Sequence, residues 1–232
     1  MSNYGKRLKS VNKSLTPGEV YPFDKAISFI RENATAKFDE TIEVALNLGI
    51  DPKQSDQNVR GVVALPHGTG KSMRVAVFAR GDQAKIAQDA GADMVGAEDL
   101  ADKIQSGVID FDRVISTPDL MGLVGKLGKV LGPRGLMPNP KLGTVTADVK
   151  KAVSNAKAGE VQFRTEKAGI VHAGIGKASF SDQQIAENLK ALIGAVIKSK
   201  PTATKGSFIK HISLSSTMGL GVRVNVSEAI AS

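Results

Sequence analysis

A glycine-rich turn that carries a lysine and a serine is the first candidate for chemistry in this chain. The segment Gly70-Lys71-Ser72 ends like a Walker A loop, whose backbone N–H groups wrap a phosphate. That loop needs a glycine five positions before its Gly-Lys pair, where Leu65 stands, and it must open a helix. The alternating run from Met73 to Phe78 predicts a strand instead. A nucleotide-dependent enzyme that uses this lysine and serine is therefore the disfavoured alternative.

Other catalytic patterns are missing from the sequence. It contains no HExxH zinc motif, no GxSxG nucleophile motif and no GxGxxG run that opens a helix. The three histidines, His67, His172 and His211, are far apart in the chain, and an isolated histidine is more often structural than catalytic. The sequence predicts a protein that is not an enzyme and that needs no cofactor or metal.

The segment from Met121 to Gly143 is unusually rich in glycine and basic residues. It holds six of the 24 glycines, three of the nine prolines and four basic residues, and it has no acidic residue. Gly122, Gly125 and Gly128 recur at every third position, which lowers helix propensity and permits close backbone approach. Two interpretations stay open: a structural loop that caps a sheet, or a rigid basic loop that touches phosphate or another macromolecule.

A second basic segment, Asn188 to Ser227, has no acidic residue. Its cations are Lys190, Lys198, Lys200, Lys205, Lys210 and Arg223. Small hydroxyl side chains, Met218 and two glycines follow one another in its run SLSSTMGLG. Hydroxyls and exposed amides suit ribose and phosphate contacts, although a hairpin turn is the commoner explanation of such a string. The missing acidic residues favour nucleic acid.

Basic side chains from different predicted strands could also share one face of a sheet. They are Lys37, Arg164, Lys167, His172 and Lys177. Such residues often do no more than solvate a sheet. Glu40 and Glu43 would repel phosphates, yet carboxylates accept hydrogen bonds from base amino groups or from a ribose 2′-OH.

The composition supports a nucleic-acid partner. The 232 residues carry a net charge of +8, from 31 basic and 23 acidic residues, which favours a polyanionic partner and no membrane. The scarcity of aromatic residues argues against a protein that stacks many single-stranded bases. The absence of cysteine and of an apolar segment at the polar N-terminus predicts a cytoplasmic protein without a secretory signal.

Hydrophobic periodicity predicts two kinds of architecture. A helix from Ser2 to about Val11, a second helix around Phe23 to Ile30, and two strands come first. From Met73 short strands alternate with helices, which predicts parallel strands with crossover helices and ends in a glycine-rich helix. After Gly159 the sequence predicts a strand pair, an amphipathic helix and two final strands.

The simplest organisation is an α/β and α+β protein of two domains. Residues 1–67 and 160–232 would form a discontinuous α+β domain, and residues 68–159 an inserted Rossmann-like α/β domain. Insertion is tolerated where chain ends lie close together, and two crossings that contain glycine could act as a hinge. A DNA-binding regulator is a third possibility, but no helix-turn-helix or basic-zipper pattern supports it.

Five motifs together resemble the bacterial family of large ribosomal subunit protein one. They are LGPRGLMPNPKLGTVT, HGTGK, FDETIEVALNLGID, STMGLGVRV and the run from Glu166 to Lys177. The resemblance covers essentially the whole chain in order. It implies a discontinuous RNA-binding domain with a Rossmann-like insertion, and a place in the mobile stalk beside the tRNA exit site. The implied partners are the ribosome, large-subunit ribosomal RNA, exit-site tRNA and the messenger RNA of the protein's own operon. The resemblance also implies a chain that is a monomer when free.

The resemblance also implies RNA contacts at particular positions. Four of those positions would lie on the first long strand, namely Lys37, Phe38, Thr41 and Glu43. The others are Arg164, Glu166, Lys167, His172, Ser215, Thr217, Met218 and Gly219. One departure is visible, because Thr165-Glu166 stands where the family often has Asn-Asp, which moves the carboxylate by one methylene.

Overall fold

The chain divides into two compact units in the structure, a computed structural model that describes residues 5–16, 18–202, 204 and 206–231. Met1–Gly70 with Val161–Ser232 makes the discontinuous unit, and Lys71–Glu160 makes the continuous unit. The start of the predicted first helix, at Ser2, and the predicted cation Lys205 lie outside the described residues. That each unit is an independently folding domain stays a prediction.

Strands and helices alternate along most of the chain. The strands are β1 (Val20–Tyr21), β2 (Thr41–Leu48), β3 (Arg60–Ala64), β4 (Val75–Phe78), β5 (Met94–Gly96), β6 (Arg113–Ser116), β7 (Glu160–Arg164), β8 (Ile170–Lys177), β9 (Ile209–Ser216) and β10 (Val222–Val224). The helices are α1 (Lys6–Lys13), α2 (Phe23–Glu32), α3 (Asp82–Asp89), α4 (Glu98–Gln105), α5 (Met121–Lys126), α6 (Gly128–Leu131), α7 (Val149–Lys157), α8 (Asp182–Lys198) and α9 (Val226–Ala231). Short 3-10 turns lie at Ser55–Gln57, Pro118–Leu120 and Pro140–Leu142.

A five-stranded sheet with helices on one face forms the core of the discontinuous unit. The strand order is β1-β10-β9-β2-β8, with β1 parallel to β10 and the other neighbours antiparallel. Along β2 the apolar residues Ile42, Val44, Leu46 and Leu48 are buried, and they pack in one cluster with residues of α2 and α8. Because side chains alternate along a strand, the polar residues between them point to the opposite face, which no described helix covers.

Two strands that the sequence predicted to pair with each other lie in different sheets. β7 pairs with β3 in a separate two-stranded sheet, and β8 pairs with β2 in the five-stranded sheet. One isolated bridge, between Thr165 and Val171, joins the two segments. The prediction of a strand pair was wrong because periodicity identifies strands but not their partners.

The continuous unit is a three-layered α/β arrangement. Its sheet has the order β5-β4-β6 with parallel pairing throughout, which confirms the predicted parallel strands. Val75 and Val77 pack against residues of α3 and α7, whereas Ala76 and Phe78 pack against residues of α4, α5 and α6. Alternate residues of β4 therefore face helices on the two sides of the sheet.

The fold is the mixed α/β type that the sequence predicted, with several elements that periodicity missed. The predicted glycine-rich helix is two short helices, α5 and α6, which meet at Leu127. The strand β1 and the helices α7 and α9 were not predicted. No helix among the described residues is long and apolar enough to cross a membrane.

Candidate nucleic-acid interface

Two threonines join the start of β2 to the turn after β9. The Thr217 hydroxyl accepts a hydrogen bond from the Thr41 N–H at 2.9 Å and donates to the Thr41 carbonyl at 3.2 Å. The Thr217 N–H also donates to that carbonyl, at 3.0 Å. A hydroxyl on an exposed turn was expected to be available for RNA, but in the structure its proton has a partner in the protein. Thr217 therefore fixes the turn, and only an acceptor lone pair remains for RNA.

The buried carboxylate of Glu40 holds two loops together at the same place. Only 1% of Glu40 is exposed, and its two oxygens accept hydrogen bonds from the Ala36 N–H and the Met218 N–H, both at 2.9 Å. One loop leads into β2 and the other follows β9. The sequence suggested that Glu40 could face an RNA groove, whereas its carboxylate faces the protein interior and positions the loops.

Glu40 is held in its ionised form. Burial by itself raises the pKa of a carboxyl group, but the hydrogen bonds from Met218 and Ala36 and the charge of Arg7 outweigh it, so that the pKa of Glu40 lies below its ordinary value. The Arg7 guanidinium of α1 lies 3.9 Å from the carboxylate and donates to the Met218 carbonyl and to the Thr35 hydroxyl. Arg7 thus braces the same two loops from the outside.

The two loops present large apolar side chains to solvent. Phe38 is 55% exposed and Met218 is 51% exposed, among only a few large apolar residues that the described chain leaves in water. The sequence placed Lys37 and Phe38 on the first long strand, but both lie in the bend that precedes β2. An exposed aromatic ring offers a face on which a base can stack, and methionine offers an adaptable apolar contact.

Gly219 packs closely against Ser216 in the turn after β9. A Cβ atom built at Gly219 would overlap the Ser216 hydroxyl, and the Gly219 N–H donates to the Ser216 carbonyl at 3.0 Å. A side chain at this position would therefore require the Ser216 hydroxyl to move. The turn places Thr217 and Met218 in the order that the sequence motif indicated.

The open face of the five-stranded sheet continues the site along β2. Glu43 lies opposite Ser215 of β9 and Gly174 of β8, and the Glu43 side chain is exposed. One position along the same face, Ala45 lies between His172 and Ser213. Small residues beside exposed polar ones leave a shallow surface that the backbone of a nucleic acid can approach closely.

Other predicted contacts lie towards the far end of this face. Glu166 and Lys167 belong to the turn that leads into β8, and the Glu166 carboxylate lies 3.8 Å from His172 Nε2. The Leu48 N–H donates to the Gly169 carbonyl, which ties that turn to the end of β2. At about 3.3 Å per residue, the eight residues of β2 separate the two ends by roughly 23 Å. The candidate interface is therefore elongated.

Arg164 does not lie on this face, and Lys177 is held by hydrogen bonds at its edge. Arg164 is exposed on β7, in the two-stranded sheet. Lys177 is only partly exposed, and its ammonium group donates to the Thr41 hydroxyl at 2.9 Å and to the Asp39 carbonyl at 3.5 Å. The prediction that these cations share one face with His172 was wrong for Arg164, which lies in a different sheet, whereas Lys177 lies opposite Thr41 in the five-stranded sheet.

The glycine-rich turn that opened the search for chemistry has a structural setting. Strand β4 follows it, as predicted, and Lys71 donates to the Asp112 carboxylate at 2.9 Å. On the side of the discontinuous unit, the His67 N–H donates to the side chain of buried Asn188, which in turn donates to the Gly68 carbonyl. No group of three metal-ligating side chains occurs in the part of the chain that the structure describes.

Sequence reasoning missed the positioning role of Glu40 and any role for Arg7. The buried side of Glu40 could have been suspected, because Glu40 stands one residue before a strand whose next buried residue is Ile42. Nothing in the local sequence pairs Arg7 with Met218, which is 211 residues away. Arg223, which the sequence identified only as part of a basic segment, lies opposite Ser213 and is exposed beside the open face.

The sequence model of the Ribosomal protein L1p/L10e family matches residues 30–220 of this chain, a span that includes both loops held by Glu40 and the strands β2, β8 and β9 of the open sheet face. Arg7 and the rest of α1 precede the matched span. Since the match covers well over half of the sequence, this chain belongs to the ribosomal protein L1p/L10e family, whose members are structural ribosomal proteins that bind ribosomal RNA and not enzymes.

Proposed function

We propose that the open sheet face and the loops held by Glu40 form the surface that binds large-subunit ribosomal RNA at the mobile stalk. The observation that carries the proposal is the fixed display of two exposed apolar side chains, Phe38 and Met218, at one end of a polar sheet face. Such a surface suits a distorted junction, where splayed bases stack and ribose and phosphate groups meet hydroxyls and amides.

The same face is proposed to bind the messenger RNA of the protein's own operon and so to repress its translation. A surface that reads shape and backbone accepts a second RNA that presents the same shape. The two RNAs then compete for one site, and free protein occupies the messenger only when the ribosomal site is filled. The resemblance of the sequence motifs, and no separate surface, supports this part of the proposal.

The third part of the proposal is assistance in moving and releasing deacylated tRNA from the exit site. It rests on the same resemblance and on the net charge of +8, which suits a second polyanionic partner. We further propose a cytoplasmic protein, monomeric when free, in which residues 1–67 with 160–232 are the RNA-binding domain and residues 68–159 the inserted domain.

A competition experiment with the full chain tests the shared face. A labelled fragment of large-subunit ribosomal RNA is bound to the protein and then titrated with the operon leader transcript. Full displacement, and equal loss of affinity for both RNAs in Phe38→Ala, is expected. Simultaneous binding of the two RNAs would contradict the single-site proposal. A wild-type affinity of Phe38→Ala for the ribosomal fragment would contradict the assignment of the face.

A further inference from the structure

The basic glycine-rich segment of the continuous unit has no part in the interface described above. Its helices α5 and α6 turn Val124, Leu127 and Leu131 into the core below the sheet. The opposite, solvent-facing side carries Gly122, Gly125, Lys126 and Lys129, at the spacing of one helical face, and all four are exposed. We call this set the lysine–glycine surface. Exposed Arg134 is included in it, because Arg134 belongs to the turn after α6, and the hydrogen bond from the Leu136 N–H to the Leu131 carbonyl closes that turn against the end of the helix.

The basic residues of this unit fall into two groups, those with a carboxylate partner and those without. Lys71, Arg74, Arg80, Arg113 and Lys157 all form ion pairs with carboxylates. Lys126, Lys129 and Arg134 have no ion pair or side-chain hydrogen bond within the described residues, and the same unit has further cations without an ion pair, among them Lys85 and Lys150. What distinguishes the lysine–glycine surface is its sequence setting, because the chain has no Asp or Glu from 120 to 147. The lysine–glycine surface therefore keeps its positive charge available to an external anion.

The glycines of the surface have no explanation inside the protein. Gly122 and Gly125 have helical backbone conformations, so a left-handed φ does not require them. A Cβ atom at either position would meet nothing within 4 Å, so packing does not require them. Glycine also lowers helix stability relative to alanine. What the two glycines do provide is a backbone that another molecule can approach closely between the cations.

We propose that the lysine–glycine surface is a second RNA-binding surface, which takes the sugar–phosphate backbone of a structured RNA without reading its bases. Unpaired lysines neutralise phosphates, and the bare helix lets the ribose–phosphate chain lie against the protein backbone. The surface has no exposed aromatic side chain on which a base could stack. The RNA is either a tRNA or a further part of the large-subunit ribosomal RNA, since both offer the same backbone chemistry.

Charge reversal in the full chain tests the contribution of the lysines. Lys126→Glu combined with Lys129→Glu is compared with Lys85→Glu combined with Lys150→Glu, which makes the same charge change on the exposed α3 and α7 side of the same sheet. Affinities for deacylated tRNA and for large-subunit ribosomal RNA are measured by fluorescence anisotropy over a series of salt concentrations. Loss of two phosphate contacts should lower the slope of log affinity against log salt by about 1.4 to 1.8.

The salt dependence of the two double variants either supports or overturns the proposed surface. A reduced slope for tRNA alone, or for ribosomal RNA alone, supports the proposal and identifies the RNA that occupies the surface. Equal reductions in both double variants, or no reduction for either RNA, overturn it, and the second result would leave an acidic protein as the alternative partner. The proposed sheet-face site fails independently, since its test is the loss of ribosomal RNA affinity in Phe38→Ala.

A single methyl group tests the contribution of the glycines. Gly125→Ala should raise the melting temperature by about 2–4 °C, because alanine stabilises a helix and the new methyl group meets open space. The same variant should bind the RNA identified above about 5- to 20-fold more weakly, because the methyl group holds the backbone away. A higher melting temperature together with unchanged affinity for both RNAs would overturn the role of the glycines.

Discussion

At the Thr41 end of the sheet, the side chains proposed to contact RNA stand on loops that the rest of the protein holds in place. The side chains of Glu40 and Thr217 make four hydrogen bonds there with backbone groups of neighbouring segments. On the lysine–glycine surface, by contrast, the cations have no partner among the described residues and the helix carries glycines that weaken it. The difference teaches that a surface for a defined junction needs fixed geometry, whereas a surface for RNA backbone needs free charge and close approach.

Among variants of these two regions, replacement of Glu40 has the largest expected effect on stability and RNA binding. Whichever way the amide of Glu40→Gln is turned, its NH₂ group faces the N–H of either Ala36 or Met218. The loss of a buried, charged acceptor should lower the free energy of unfolding by about 2–3 kcal/mol at pH 7 and weaken RNA binding as well. Urea unfolding and RNA titration of both proteins measure the two effects.

The effect of Glu40→Gln should also depend on pH. Because the pKa of Glu40 in the folded protein is below its ordinary value of 4.5, the ionised group stabilises the fold above that pH, and the contribution is lost as the pH falls through the folded value. The difference between the wild type and the variant should therefore be complete at pH 7 and shrink below pH 4.5. Exposed Glu32→Gln is the matched control. If Glu32→Gln has an equal effect, Glu40 does not position the two loops.

Phe38→Ala should affect binding without affecting the fold. The ring is 55% exposed and lies in a bend, so its removal leaves no cavity. Loss of one stacked base should cost about 1–3 kcal/mol of binding free energy, roughly a 5- to 150-fold fall in affinity for ribosomal RNA. Isothermal calorimetry and thermal melting check the two halves of the prediction. Val108→Ala, at a second exposed apolar residue, should change neither, and a drop in affinity there too would point to a nonspecific effect.

Thr217→Val removes one hydroxyl and keeps the shape of the side chain. The Thr41 N–H then loses its acceptor, so we expect the free energy of unfolding to fall by about 1–2 kcal/mol, together with a smaller loss of RNA affinity. Thr202→Val, at an exposed turn residue with no hydrogen bond in the described chain, is the control. If stability stays at the wild-type level in Thr217→Val while binding falls, the hydroxyl acts on RNA directly and does not position the turn.

Arg7→Ala should give the smallest effect. Its side chain is 38% exposed, and partly exposed charged contacts contribute little, so the expected loss of stability is about 0.5–1 kcal/mol. Lys9→Ala, on the same helix and also exposed, is the control for general charge effects. A melting curve of Arg7→Ala indistinguishable from that of Lys9→Ala would show that α1 does not brace the loops.

Local patterns in the sequence determined much of this protein. The alternation along β2, the short parallel strands of the continuous unit and the capped helix α8 follow from periodicities and capping residues that operate within a few positions. The motif around Met218 likewise identified the turn of the candidate interface. The family resemblance rests on the same local patterns, since they lie in order within the matched residues 30–220.

Only the tertiary structure decided how these pieces meet. Glu40 and Met218 are 178 residues apart, and no local pattern predicts that one carboxylate accepts from both Ala36 and Met218. The separation of β7 from β8 and the hydrogen bond from Lys177 to Thr41 depend on strand register, which a sequence pattern does not specify. The sequence by itself determined which residue types stand at each position of these motifs. Packing between distant segments decided which side chains are held, which are exposed and which are buried, because those properties arise from contacts between elements and not within them.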